Sequence, residues 1–417
     1  MGTLLYLAHR IPYPPNKGEK IRAWHILLGL AERYRVVLGA FVDDPDDWAH
    51  RRALEAVCAE VHLRPLPPLR GALRAAAALA AGGPASVRWF RDSALARWVR
   101  GAVRRHAPEA AVIFSSAMMQ YAHALPADLP VVADYVDVDS EKWAAYGARR
   151  HGPAGWLYRR EARTLAAWEG RMAARARAVV LVSEAEADLF AARAPECAGR
   201  VRAVGNGVDL ERFRPDPSLP DPYPPDARAL VFTGLMDYRP NVDAVRWFAE
   251  AVLPRVRAEV PEAAFWIVGA RPAEAVRRLE RLPGVRVTGA VPDTRPWLAH
   301  AAAAVAPLRI ARGVQNKVLE AYAMARPVAA TPQAAEGIEL PPGAGDWIAG
   351  DADGLARRVV ALLREPPGPA WREACRRWME SRYAWRRHQA AFLEVVEEAI
   401  GAPAPAARAA AAVAEAV

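Results

Sequence analysis

The sequence predicts an α/β protein built from two doubly wound domains, each a parallel sheet wrapped by helices. Three observations carry that expectation. Short apolar runs of strand length alternate with stretches of helical periodicity through both halves of the chain, which favours parallel sheets. A proline-dense segment from Arg214 to Asp226 separates the two series and reads by composition as a linker. At 417 residues the chain is too long for one small core, so two domains are the natural division.

Composition narrows the class. Hydrophobic residues make up 53% and charged residues 25%, as in a soluble globular protein. No apolar run approaches eighteen residues, so no transmembrane helix is expected. Met1 to Ala8 runs straight into a strand without a basic leader, and no signal peptide is read there. Cys58, Cys197 and Cys375 are scattered, which fits a reducing cytoplasm and no metal cluster. Fifty-six Lys and Arg against 47 acidic residues leave a formal charge of +9. That balance suggests an anionic partner, whether nucleotide, nucleic acid or membrane surface, without choosing among them.

In the first half, Thr3 to Ala8 reads as a strand. Three prolines then forbid helix until Gly18, after which Ile21, Trp24, Leu27 and Leu28 recur at helical spacing. A loop with glycine and cations at a helix start is an anion-cradle geometry; no GxGxxG accompanies it. Further strands are expected at Arg35–Phe41, Val61–Leu66, Ala110–Phe114, Val131–Asp134, Ala178–Val182 and Val201–Val204. The loop with Asp43, Asp44, Asp46 and Asp47 reads as solvated. Between Pro68 and Arg105 lies a basic and aromatic run, including Trp89 and Trp98. Such a helix can lie on anionic lipid; packing Trp inward with Arg outside is the reading preferred. Asp134, Asp137 and Asp139 close a strand and invite a catalytic or metal role. Asp137-Val-Asp139 matches a three-letter DxD pattern, while Ser140 and Glu141 serve equally to start a helix.

The second half restarts the alternation, with strands at Ala229–Thr233, Ala264–Val268, Val285–Thr288, Ala303–Pro307 and Val328–Ala330. Helices are expected near Val242–Arg257, Pro272–Arg281, Thr294–His300 and Asn316–Met324, with three more closing the chain. The stretch Arg309 to Pro332 stands out: an apolar strand precedes it, and a loop with Arg312-Gly313 feeds a helix start. Glycine admits close backbone approach to an anion, and Arg309, Arg312 and Lys317 bring positive charge. Glu320, one turn after Lys317, faces the same side and suits ribose hydroxyls. Gly234 and Gly269 fall at the same sheet edge, because parallel strands end on one face.

Residue scarcity points to the same loops. Lys occurs only at 17, 20, 142 and 317, and Asn only at 16, 206, 241 and 316. In a chain so biased toward Arg, a retained Lys supplies a compact point charge that a planar fork cannot. Two Asn-Lys pairs, Asn16-Lys17 and Asn316-Lys317, are expected in facing loops of the two domains.

Several motifs carry a family resemblance. Gly205-Asn206-Gly207-Val208-Asp209 with Phe213-Arg214-Pro215 resembles the hinge segment of family 4 glycosyltransferases. Ser183 after Val179–Val182 resembles their strand end, Gly313–Met324 with Arg326-Pro327-Val328 their donor block, and Glu336-Gly337-Ile338 the motif that follows. The stretches His9–Arg22 and Asp134–Trp143 resemble the sugar transferase of exosortase (PEP-CTERM) exopolysaccharide systems. The resemblance spans about residues 3 to 399. It implies the GT-B architecture: two Rossmann-like domains with a cleft between them. Residues 1–205 would form the acceptor-side domain, 206–228 a hinge and 229–380 the nucleotide-sugar domain. Residues 381–400 would return as a helix to the first domain, and 401–417 would be a flexible tail.

The implied activity is transfer of a sugar from a nucleotide-sugar to a glycan or lipid-linked acceptor, with retained configuration and no metal or other cofactor. The implied location is cytoplasmic, with peripheral contact to the inner face of the cell membrane left open. Three departures from the family pattern stand out. Arg312 occupies the place of the first of two donor-block glutamates, Glu320 being the second. Leu235 and Pro240 replace the usual Arg and Lys, with Arg239 nearby. Val136 stands where a histidine is frequent. The cations are therefore expected to be relocated to Arg312, Lys317 and Arg239. The catalytic candidates are Asp137, Asp139, Lys317 and Arg312. The donor-binding candidates are Asn16, Lys17, Gly18, Gly234, Arg239, Gly313, Val314, Asn316, Lys317 and Glu320, with Lys17 and Gly18 completed by hinge closure. Two rivals are a sugar-nucleotide epimerase of the same fold, which needs no acceptor, and a basic nucleic-acid-binding protein, for which no basic and aromatic sheet motif is visible.

Overall fold

The computed structural model describes residues 1–148, 150–311 and 313–401. Arg312 and the tail beyond Gly401 lie outside the described residues. The chain divides into two compact units: Met1–Gly205 with the chain from His388 onward, and Asn206–Arg387.

The first unit holds a seven-stranded sheet of β1 (Thr3–Ala8), β2 (Arg35–Val42), β3 (Glu60–Pro65), β4 (Ala110–Phe114), β5 (Val131–Val136), β6 (Ala178–Leu181) and β7 (Val201–Ala203). All pairings are parallel, in the order β3-β2-β1-β4-β5-β6-β7. The second unit holds β8 (Arg228–Thr233), β9 (Ala263–Val268), β10 (Val285–Gly289), β11 (Ala303–Ala306) and β12 (Val328–Ala330). They are parallel in the order β10-β9-β8-β11-β12. Strands such as β4, β6 and β11 are buried throughout, because helices cover both sheet faces; this is why they read as unbroken apolar runs. In each sheet the order reverses beside the first strand, between β1 and β4 and between β8 and β11. Crevices beyond the carboxyl ends at such points are where doubly wound sheets take ligands.

Several sequence expectations change on contact with the fold. The proline-rich run is no free linker, because its apolar residues find partners in the second unit. Phe213 and Tyr223 are buried, the Tyr223 hydroxyl donates to Trp297 O at 2.5 Å, and Arg376 donates to Leu210 O and Phe213 O at 2.8 Å each. The acidic loop is not simply solvated either. Asp47 is buried and accepts from Lys20 at 2.6 Å, and Asp43 accepts from Arg10 at 2.8 Å. Two of the cations near the first helix start are thereby spent on structure. The helix expected at Val242–Arg257 contains a π turn at Phe248–Val252. Pro254 supplies no N–H and crowds the carbonyl four residues back, and Leu253 bonds five residues back to Phe248 O. In the basic run Trp89 and Trp98 do turn inward: a Cβ on Gly71 would stand 2.7 Å from the Trp89 ring, and one on Gly39 would stand 2.5 Å from Trp98.

The first sheet is tied at its carboxyl edge by Arg22, from the helix Gly18–Ala31, and Asp134 of β5. Both side chains are fully buried. Arg22 Nε and Nη2 donate to the two carboxylate oxygens at 2.9 and 3.1 Å, and Nη1 donates to Val204 O at 2.8 Å. Asp134 is thus structural, not one of a catalytic trio. Replacing Arg22 with Met would strand a carboxylate in the core; such breaks cost about 3–5 kcal/mol. Chemical denaturation of Arg22→Met should show a loss in that range, and a change below about 1 kcal/mol would show the pair to be dispensable.

Candidate active site

The strongest constellation lies at the carboxyl edge of β8 and β11. β8 ends at Thr233, and Gly234 follows with φ 154°. A Cβ on Gly234 would come within 2.8 Å of Asn241 Nδ2 and 3.4 Å of Lys317 Nζ, so glycine keeps these groups uncovered. A Cβ on Gly269, after β9, would lie 1.7 Å from Gly234 O, which only glycine avoids. Asn241 sits on the helix Arg239–Trp247, buried. Its Nδ2 donates to Leu235 O at 2.9 Å, which turns its Oδ1 toward Lys317 Nζ at 2.7 Å. The same ammonium lies 4.2 Å from the Phe232 ring centroid, a cation–π contact.

Lys317 belongs to the first turn of the helix Asn316–Ala323, whose N-cap residue Gln315 makes no side-chain cap bond. The amides of that turn present the positive end of the helix dipole. Gly313, with φ 62°, bends the chain into it, and Gln315 Nε2 donates back to Gly313 O at 3.3 Å. Asn316 Oδ1 accepts a long 3.5 Å bond from the buried Asn206. Burial lowers the Lys317 ammonium to about 7, against the opposing pull of Glu320. Burial also pushes Glu320 up to about 7, resisted by Lys317 and Arg212. An anion delivered to Lys317 would favour its charged form. The arrangement suits a diphosphate at the lysine and glycine edge, with a carboxylate one turn further along.

One expected cation is placed differently. Arg309 does not serve the loop: its guanidinium pairs with Asp243 at 2.6 and 3.1 Å and lies 5.3 Å over Trp247. It is drawn to the helix Arg239–Trp247 because a carboxylate and an aromatic face wait there. Arg239 is half-buried and opens that helix. Gly313 is buried and Val314 half-buried in the loop.

The first unit has its own edge site. Asn16 and Gly18 are exposed and Lys17 half-buried at the start of the helix Gly18–Ala31; Lys17 is its N-cap and makes no side-chain cap bond. At the end of β5, Val136 is held at φ 68°, an unusual conformation for a β-branched residue that marks stored strain. Carboxylates from two helices clamp the turn: Val138 N–H donates to Glu186 at 2.7 Å, and the Ser140 hydroxyl donates to Glu169 at 2.6 Å. Asp137 Oδ1 is buried without a hydrogen-bond partner among the described residues. Burial pushes Asp137 up to about 7, reinforced by Glu186 and Asp139 and opposed by Lys142. Asp139 is also raised, by burial first.

Sequence reasoning missed three of these residues. His9 follows β1, stacks on Phe114 at 5.7 Å, and leaves Nδ1 buried without a partner among the described residues. Burial and neighbouring Arg10 lower it to about 3, so it is neutral. Asn206 and Asn241 stand out in the sequence as two of four asparagines, but scarcity gives neither a partner nor a role.

Residues 227–365 match the family model described as glycosyl transferases group 1. The fold matches sucrose-phosphate synthase from Thermosynechococcus elongatus with a TM-score of 0.68 at 16% identity, covering 95% of this chain and 99% of that one. Anabaena HepE in complex with UDP and glucose matches at 0.64 and 15%, covering 95% of this chain and all of the other. WaaG, a glycosyltransferase involved in lipopolysaccharide biosynthesis, matches at 0.62 and 16%, covering 93% and 98%. No curated protein sequence matches the chain. The fold is that of the GT-B glycosyltransferases. The second unit carries a group 1 glycosyltransferase domain over residues 227–365.

With only four lysines, ε-carbon labelling gives four resonances to follow. One should titrate near pH 7 and be missing in Lys317→Arg. If no lysine titrates below about pH 9, the surroundings of Lys317 do not depress its ammonium.

Proposed function

We propose that the chain transfers a sugar from a nucleoside-diphosphate donor to a glycan or lipid-linked acceptor in exopolysaccharide biosynthesis, with retention and without a metal. The observation that carries the reading is the Lys317–Asn241 contact beside Gly234 at the start of the helix Asn316–Ala323. In this reading the leaving diphosphate gathers charge as the glycosidic bond breaks. Lys317 and the amides from Gly313 to Asn316 stabilise that charge, a form of catalysis that acts where charge develops. Arg312 and Arg239 are assigned to the same task by their place in the sequence. Glu320 accepts the ribose hydroxyls. In the first unit Asp137 and Asp139 serve the acceptor side: a carboxyl held near 7 is suited to take a proton from an attacking hydroxyl. Asn16, Lys17 and Gly18 offer further donors to phosphate or acceptor. UDP-sugars are the first donors to try, because the HepE complexes hold UDP or UDP-glucose.

Lys317→Ala should lose most turnover, on the order of a hundredfold or more, while its unfolding midpoint stays close to the parent. Near-parental rates with a donor that the parent uses would remove Lys317 from the mechanism. The same assay, run with and without acceptor, addresses the epimerase rival: a sugar-nucleotide isomer formed without acceptor would replace transfer as the reading.

A further inference from the structure

The helix Pro68–Ala80 turns its apolar side outward. Its inward side is fixed by several contacts. Gly71 abuts the Trp89 ring, Ala78 is buried, and Arg74 donates to Trp89 O and Arg91 O. From the helix Gly152–Ala173, Arg160 donates to the carbonyls of Ala78, Leu79 and Gly83. At about 100° per residue, Leu69, Leu73, Ala76 and Ala80 then form one stripe opposite Gly71 and Ala78. Leu69 and Leu73 are 82% and 72% exposed, and both alanines are exposed. A surface helix ordinarily puts polar residues there. Trp156, one turn before Arg160, is 57% exposed.

The charge of the sequence that follows the helix selects the occupant. From Leu69 to Arg105 the sequence holds eight arginines and a single acid, Asp92, in a chain whose total is +9. Asp92 is already engaged, accepting from Leu95 N–H at 2.8 Å and from Arg64 at 3.3 Å. Arg70, Arg91, Arg97, Arg100 and Arg104 are exposed. A second copy seated here would set arginine against arginine. An anionic bilayer offers phosphates to the arginines and acyl chains to the leucines.

We infer that the helix Pro68–Ala80 docks in the plane of an anionic lipid surface, with Leu69 and Leu73 at the acyl boundary and the arginines among headgroup phosphates. This deepens the reading of a lipid-linked acceptor. Vesicle binding needs neither donor nor acceptor, so its failure and the failure of sugar transfer are distinguishable.

The test is co-sedimentation of the full chain with two vesicle types: phosphatidylcholine alone, and phosphatidylcholine mixed with phosphatidylglycerol. The expected result is binding to the mixed vesicles only, weakened by salt. The double variant Leu69→Glu/Leu73→Glu should weaken it by at least about tenfold with the unfolding midpoint unchanged. Light scattering of the same two proteins covers the rival occupant. No binding to the mixed vesicles, equal binding by the double variant, or a parent dimer that the double variant dissolves would each overturn the inference.

Discussion

The second unit is organised around a lysine ammonium held between a side-chain amide and an aromatic ring. Lys317 reaches Asn241 Oδ1 at 2.7 Å and the Phe232 centroid at 4.2 Å, and the neighbouring loops are shaped to permit this. Gly234 has no side chain because one would press on Asn241 and approach Lys317, and Gly269 has none because one would strike Gly234. A guanidinium is planar and broad, whereas an ammonium is a compact point charge; the site is cut to the second. The same burial that packs Lys317 makes its charge costly, so the charged form favours an anion as partner.

The topology puts this lysine where it can act. Because β8 and β11 are neighbours at the point where strand order reverses, the loops after them diverge and leave their carboxyl ends accessible. The first unit repeats the strand reversal between β1 and β4, and carries different chemistry one strand along, at the end of β5. There the strained Val136 and the clamping carboxylates Glu169 and Glu186 hold Asp137 in surroundings that disfavour its ionisation. One edge favours binding of negative charge, and the other favours holding a proton.

Much of this was legible in the sequence. Every strand lies close to where an apolar run was read, because burial on both faces leaves continuous hydrophobic stretches. The loop at Gly313 and the helix after it were legible for a local reason: glycine, cation and helix start follow one another within a few residues. Legibility failed where partners are distant in sequence. Arg309 sits beside the loop in sequence, yet Asp243 and Trp247 draw it away. The proline run looked like a linker because composition says nothing of the pocket that takes Tyr223 beside Trp266 and Trp297. Asn241 was passed over although it is one of only four asparagines, since nothing nearby in sequence shows that it meets Lys317, 76 residues away.

A diphosphate that charges Lys317 must bring a proton with it. Calorimetric titration of the protein with UDP at pH 8, in two buffers of different ionisation enthalpy, measures the protons exchanged on binding. At that pH a group lowered to about 7 is mostly neutral, and Glu320, at about 7, is mostly ionised already. Net proton uptake approaching one per site is expected, abolished in Lys317→Met. Binding with no proton uptake, or with the same uptake in Lys317→Met, would contradict it.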